Sequence, residues 1–192
     1  TASLQRMWRA LPIMGREMNL SDMETAWVFY PCLQAADIFH MELDIACAGM
    51  DQRKAHMLAR DAAEKLRWKK PACVHVPLLM GLQEPVKAEK EFDENREINQ
   101  EISSKMSKSI PERCIFVHDS PEQVRSKVKN AFCPAKQTEE NPVLELAKHA
   151  VFTNQKNLTI ERPTKYGGTQ VFQTYAELEK AFGEGQVHPL DL

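Results

Sequence analysis

Three features of this 192-residue chain predict an α/β fold: part of a doubly wound parallel sheet, followed by a mainly α-helical region. An apolar run at Leu43–Ala48, a turn at Gly49, a helical stripe from Asp51 and a second apolar run at Cys73–Pro77 make a strand–helix–strand unit. Downstream, Ser120-Pro121, Asn141-Pro142 and Thr174-Tyr175-Ala176-Glu177 each carry a helix-start signal. No internal repeat interrupts this order, and the boundary between the two regions is expected near 115/116, dividing the chain into 1–115 and 116–192.

The first twenty residues are amphipathic without a clear period. Ser21-Asp22-Met23-Glu24 reads as a capping box, in which serine and glutamate satisfy each other's backbone N–H groups. Pro31 is expected to open a helix at its first turn, where a missing N–H costs nothing, with the helix running to about Met41. Tyr30, Gln34 and Asp37 then share one face among mostly apolar neighbours. A phenol, an amide and a carboxylate on an otherwise apolar helix need partners, and a ligand can supply them.

Asp51 is expected to cap a helix over 51–66 whose core stripe is Ala55, Leu58, Ala59, Ala62 and Leu66. The turn before it, at the carboxyl end of a strand, is where open α/β sheets bind ligands, and Gln52 and Arg53 lie there. Residues 83–104 are charged and glycine-free and read as an exposed, mobile insertion. Cys114–Val117 reads as a short strand, and Asp119-Ser120-Pro121-Glu122 as a helix start. Asn141-Pro142 opens a helix to about Phe152. Leu158–Glu161 and Val171–Gln173 suggest a hairpin around Tyr166-Gly167-Gly168, and a last helix ends at Gly183 or Gly185.

The stretch Ile102-Ser103-Ser104-Lys105-Met106-Ser107-Lys108-Ser109-Ile110-Pro111 carries the most chemistry. Two lysines three apart, interleaved with serines, give ammonium groups, hydroxyls and loop amides that can wrap a polyanion. Transfer of a phosphoryl or nucleotidyl group needs such charge where negative charge builds up.

That run resembles the KMSKS signature of class I aminoacyl-tRNA synthetases. Tyr30-Pro31-Cys32-Leu33-Gln34-Ala35-Ala36-Asp37-Ile38, Gly49-Met50-Asp51-Gln52-Arg53-Lys54 and His188-Pro189-Leu190-Asp191-Leu192 resemble further blocks of the tyrosyl-tRNA synthetases of the archaeal and eukaryotic branch. The resemblance covers nearly the whole chain. It implies a partial Rossmann-like sheet carrying the KMSKS loop, an anticodon-binding domain, and a two-step reaction in which tyrosine and ATP give tyrosyl-adenylate before transfer to tRNA(Tyr).

In that reading Lys105 and Lys108 stabilise the phosphates, with Met106, Ser107 and Ser109 completing the ATP loop. Tyr30, Gln34, Asp37 and Gln52 bind tyrosine, Asp37 accepting from the phenol. Arg53 and Lys54 meet the acceptor end of the tRNA, and Tyr166, His188 and Asp191 the anticodon. ATP with Mg2+ is a substrate, no tightly bound cofactor is implied, and the full-length protein is expected to be a homodimer or a pseudo-dimer. The family's His-x-Gly-His run is absent, as is an initiator methionine. The chain is therefore expected to be part of a longer protein and inactive alone. Ala48-Gly49 stands where the family usually has two glycines. The alternatives are a tryptophanyl-tRNA synthetase and a catalytically inert tRNA-binding half; the Asp51–Lys54 and His188–Asp191 blocks favour tyrosine.

Composition narrows the setting. A net charge of −2 means that nucleic acid must be met by local patches rather than a global field. Five cysteines, an odd number without CxxC spacing, read as reduced thiols of a cytoplasmic protein. The six histidines are scattered, so no metal site is expected. No apolar run approaches the roughly 18 residues of a membrane span.

Overall fold

The computed structural model describes residues 2–14, 23–85 and 96–192, with the backbone alone at 96–98. Its contacts divide the chain into two compact units. The first is Thr1–Leu78 with Ala88–Ile102, and the second is Leu79–Lys87 with Ser103–Leu192. The contacts thus divide at places other than 115/116: the stretch from Ser103 onward, including the lysine–serine run, packs with the helices that follow it.

In the first unit, helix α1 (Leu4–Ala10) starts from Ser3, whose hydroxyl accepts the Arg6 N–H, and a 3-10 turn (Leu11–Met14) follows. Helix α2 spans Thr25–His40. Pro31 therefore lies inside a helix instead of opening one, a difference from the sequence expectation. The proline removes one ladder hydrogen bond. Its side chain is fully buried, and Ala35 and Ile38 of the same helix join a core with Ala46, Leu58 and Ala59. That burial holds the helix across the gap. The expected capping box falls on Ser21 and Asp22, outside the described residues, and Glu24 at the N-cap makes no side-chain cap bond.

Strand β1 (Ile45–Gly49) and strand β2 (Ala72–Val76) pair in parallel, Ile45 opposite Ala72 and Gly49 opposite Val76. Helix α3 (Arg53–Leu66) makes the crossover between them, as the strand–helix–strand pattern predicts. Asp51 does not cap α3. It sits in a separate 3-10 turn (Met50–Gln52), and the N-cap is Gln52, without a side-chain bond. The buried stripe of α3 is Ala55, His56, Leu58, Ala59 and Ala63, whereas Leu66 is 41% exposed. The stripe keeps the helical period but turns toward His56, because that ring has a partner on β2. Gly49 sits in ordinary extended backbone, but a Cβ there would lie 2.7 Å from Asp51 Oδ1 and 3.0 Å from Leu78 Cδ2. Close approach, not a special φ, is what the glycine provides.

Helix α4 (Arg96–Ser104) occupies the end of the stretch expected to be a mobile insertion, and its Asn99 is buried. The expected strand at Cys114–Val117 does not form. Strands need a pairing partner, and these residues instead enter a turn in which Phe116 and Asp119 exchange backbone and side-chain hydrogen bonds at 3.1 and 2.8 Å. Lys127 of α5 (Pro121–Lys129) closes this turn, donating to Cys114 O at 2.8 Å and to Asp119 Oδ2 at 2.6 Å.

Helix α5 has a full capping box between Ser120 and Gln123, with Pro121 at the first position. Helix α6 (Pro142–Leu146) is capped by buried Asn141 and continues as a π-helical segment (Ala147–Val151) into α7 (Phe152–Asn154). Strands β3 (Leu158–Ile160) and β4 (Gln170–Phe172) form the expected antiparallel hairpin, and α8 (Tyr175–Gly183) follows. Leu144, Ala147, Ile160, Phe172, Leu178, Ala181, Phe182 and Val187 are the core of this unit. No helix among the described residues is long and apolar enough to cross a membrane.

Candidate functional site

Three groups of side chains emerge. The first lies where α2 meets the end of β1. Gln34, in the middle of α2, donates through Nε2 to Gln52 Oε1 at 3.1 Å. Gln52, in the turn after β1, donates onward to Ile13 O at 3.0 Å. Gln34 Oε1 is enclosed and has no hydrogen-bond partner among the described residues. Tyr30 and Asp37 flank Gln34 by one helical turn on either side, Tyr30 at 45% exposure and Asp37 exposed. The structure joins Gln34 to Gln52 and leaves Tyr30 and Asp37 open on the same face. Helix α2 is less buried than its apolar neighbours suggested, since Leu33 is 61% exposed. The link to Ile13 spans 39 positions and had no local signal.

Arg53 and Lys54 open α3 directly beyond Gln52. Behind them, His56 Nδ1 and His75 Nε2 are 3.0 Å apart. Burial, then its neighbour His75, pushes the His56 pKa down, and burial, then the Arg53 charge, lowers that of His75. Both shifts favour the neutral rings, in which one nitrogen can donate to the other.

The lysine–serine run follows α4. Lys105 pairs with Met80 in an antiparallel bridge, Met106 N–H donates to Leu79 O at 2.6 Å, and Ile115 N–H reaches Met106 Sδ at 3.5 Å. Met106 is therefore an anchor under the loop. Beyond it Ile110 N–H closes on Ser107 O at 3.3 Å, and Lys108 and Ser109 are exposed. Glu145 on α6 holds the base of the loop from the helical side, its Oε2 accepting the Met80 N–H at 2.9 Å. Neither Met80 nor Glu145 was recognisable from sequence, because no motif marks a contact across 65 positions.

The third group lies around the hairpin. Tyr166 ends a 3-10 turn, is 63% exposed and carries Lys165 Nζ 4.7 Å over its ring. The next two residues, Gly167 and Gly168, have φ of 101° and 71°, left-handed values that favour glycine. His188 caps the final turn through Nδ1, which accepts Leu190 N–H at 3.2 Å. Asp191 Oδ2 accepts from Arg162 Nη1 at 3.2 Å, and that same Nη1 donates to Gln186 O at 3.0 Å. Arg162, with its side chain 5% exposed, ties the end of β3 to the C-terminal turn. A Cβ on Gly167 would lie 3.4 Å from Arg162 Nη2, so the glycine also makes room for that tie. A single arginine after a strand carries no sequence signal for this role.

All five cysteines are free thiols, and among the described residues no group of three or more His, Cys, Asp or Glu is placed to hold a metal ion.

The family model for class I tRNA synthetases specific for tryptophan and tyrosine matches residues 1–192. The chain belongs to this family. It is 52% identical over 191 residues to the tyrosine–tRNA ligase of Sulfolobus acidocaldarius, covering 99% of this chain and 52% of that protein. It is 48% identical to the tyrosine–tRNA ligase of Aeropyrum pernix over 192 residues, 100% of this chain and 52% of the relative. Among solved structures, the tyrosyl-tRNA synthetase of Pyrococcus horikoshii complexed with L-tyrosine superposes with a TM-score of 0.86 at 42% identity, covering 99% of this chain and 53% of that one. The chain thus spans about half the length of the relatives it matches. Membership of this synthetase family supplies the fold class, an α/β architecture with a small parallel sheet and many helices.

Proposed function

We propose that the protein containing this chain is a tyrosine–tRNA ligase. It activates L-tyrosine with ATP and Mg2+ to tyrosyl-adenylate and transfers the tyrosyl group to tRNA(Tyr). The observation that carries the reading is the enclosed, unpartnered Gln34 Oε1, held in place by the Gln52–Ile13 relay. An acceptor kept in this way suits the α-ammonium of an amino acid, and the family confines that amino acid to tyrosine or tryptophan. The relatives at about half identity are tyrosine–tRNA ligases.

In the first step the tyrosine carboxylate attacks the α-phosphorus of ATP, the α–β P–O bond breaks, and pyrophosphate leaves with the electron pair. Placement and charge do most of the work. Tyr30, Gln34 and Gln52 hold the amino end. Asp37 accepts the phenol hydrogen bond, and phenylalanine is rejected because its ring would cover this carboxylate and strand it without a partner; tyrosine-specific synthetases are themselves the standard instance of this effect. Lys105 and Lys108 neutralise the phosphates, Ser107 and Ser109 donate to them, and Met106 anchors the loop.

In the second step a hydroxyl of the terminal adenosine of the tRNA attacks the tyrosyl carbonyl and AMP departs. Arg53 and Lys54 meet this acceptor end. Tyr166 and His188 stack on an anticodon base while Asp191 accepts from a guanine edge; stacking of this kind contributes about 1–3 kcal/mol per base.

The two parallel strands belong, in this reading, to a Rossmann-like doubly wound sheet. Residues 1–115 serve catalysis and 116–192 the anticodon, although the contacts divide elsewhere. The full-length protein works in the cytoplasm as a homodimer or a pseudo-dimer.

The test is ATP–pyrophosphate exchange by the full-length protein, with Asp37→Ala alongside. Exchange is expected with tyrosine and not with tryptophan, and it is expected to disappear in the variant. Exchange with tryptophan alone overturns the function, and exchange with tyrosine that survives Asp37→Ala overturns the assignment of the phenol acceptor.

A further inference from the structure

Just past the lysine–serine run, Arg113 ends the 3-10 turn Pro111–Arg113. Its backbone is fixed at both ends: the N–H donates to Ile110 O at 3.0 Å, and the carbonyl accepts from Leu82 N–H at 3.0 Å. Gly81 packs against it, and a Cβ added there would lie 3.7 Å from Arg113 Cβ. The side chain therefore starts from a held position.

Arg113 Nε is enclosed, with no hydrogen-bond partner among the described residues. A guanidinium has five donors and no acceptor, so an enclosed donor without an acceptor is costly unless a ligand provides one. The same side chain lines a small cleft of about 130 Å³ together with Lys105, Ser103, Ser104, Ser107 and Gln83. Two cations, three hydroxyls and an amide make an anion-binding lining. Glu84 lines the cleft as well. The planar fork of arginine matches paired phosphate oxygens in a way that lysine, a point charge, does not.

We propose that Arg113 is a third cation of the nucleotide site, binding the β,γ-phosphates of ATP and the pyrophosphate that leaves. This rests on the reading of Lys105–Ser109 as the ATP loop. Lys105 and Lys108 supply point charges, and Arg113 supplies a directional one.

The experiment is ATP–pyrophosphate exchange by the full-length protein carrying Arg113→Ala, Arg113→Gln or Arg113→Lys, with equilibrium dialysis of labelled inorganic pyrophosphate on the same proteins. Loss of a charge-assisted hydrogen bond is expected to raise the KM for pyrophosphate and for ATP by about tenfold or more in the first two variants. The KM for tyrosine stays unchanged, Arg113→Lys recovers part of the loss, and dialysis shows the matching loss of pyrophosphate affinity. Unchanged constants for pyrophosphate and ATP overturn the proposal. So does a rise in all three constants together with a lowered melting temperature, which marks Arg113 as a prop of the loop. If the unaltered protein shows no tyrosine-dependent exchange yet binds pyrophosphate through Arg113, the ligase reading falls and this one stands. If it exchanges with tyrosine and the variants are silent, this one falls alone.

Discussion

Gln34→Met separates binding from stability in a single residue. Methionine keeps the length of the side chain and its fit on α2 but removes both polar atoms. In the full-length protein with tyrosine bound, the loss is one hydrogen bond to a charged group, about 1.5–3 kcal/mol. That is roughly a 10- to 150-fold rise in the KM for tyrosine. Without tyrosine the balance runs the other way. Gln34 Oε1 is enclosed and unpartnered, and removing such an acceptor returns about 1–3 kcal/mol. The 3.1 Å bond from Gln34 Nε2 to Gln52 Oε1 is lost, at about 0.5–1.5 kcal/mol, while Gln52 keeps its bond to Ile13 O. The free protein is therefore expected to lie between about 0.5 kcal/mol less stable and about 2.5 kcal/mol more stable. Thermal melts with and without saturating tyrosine, beside the exchange KM, read both quantities. A free protein destabilised by more than about 1 kcal/mol, with the tyrosine KM unchanged, would show that Gln34 is a structural amide and refute the reasoning.

Asn141→Ala is expected to lower the stability of the second unit by about 2–4 kcal/mol, measured as a denaturant midpoint. Asn141 is 1% exposed; its Oδ1 accepts from Val143 and Leu144 N–H at 3.1 and 3.2 Å, and its Nδ2 donates to Gln137 O at 3.0 Å. Asn141→Asp keeps the cap acceptor and should lose less; equal losses would place the energy elsewhere. The His56–His75 pair makes stability depend on pH. Both folded pKa values lie below the ordinary 6.5, so below about pH 6.5 the unfolded chain binds more protons than the folded one. Stability is complete above that point and falls as pH drops through it toward the lowered folded values. His75→Gln should flatten the profile, whereas a native midpoint constant from about pH 7.5 to 5.5 would remove the pair from the account.

Much of the fold could be read in the sequence because its signals are local. Ser120, Pro121 and Gln123 specify the start of α5 within four positions, and Gly167 and Gly168 supply the left-handed backbone of the hairpin loop. The misread elements depended on distant partners. Pro31 should end a helix by local rules, yet burial with Ala35 and Ile38 carries α2 through it. Cys114–Val117 has the composition of a strand but pairs with no strand among the described residues, and a turn held by Asp119 and Lys127 takes its place. Of the candidate site, the members could be named from their resemblance to a family, and their partners could not. Ile13, Glu145 and Arg162 belong to no motif and act through contacts across 39, 65 and 29 positions.

By itself, the amino-acid order determined the residue types available to each site and the faces on which local periodicity places them: an amide and a carboxylate one turn apart on α2, two lysines among serines, a histidine and an aspartate around a proline. Only the tertiary structure decided which of these polar atoms are partnered. Gln52 and Asp191 are held by hydrogen bonds, whereas Gln34 Oε1 and Arg113 Nε are enclosed without a partner among the described residues. Periodicity follows from backbone geometry and needs only neighbouring residues. Hydrogen-bond satisfaction depends on what the rest of the chain brings within about 3 Å, and that is settled when distant segments pack.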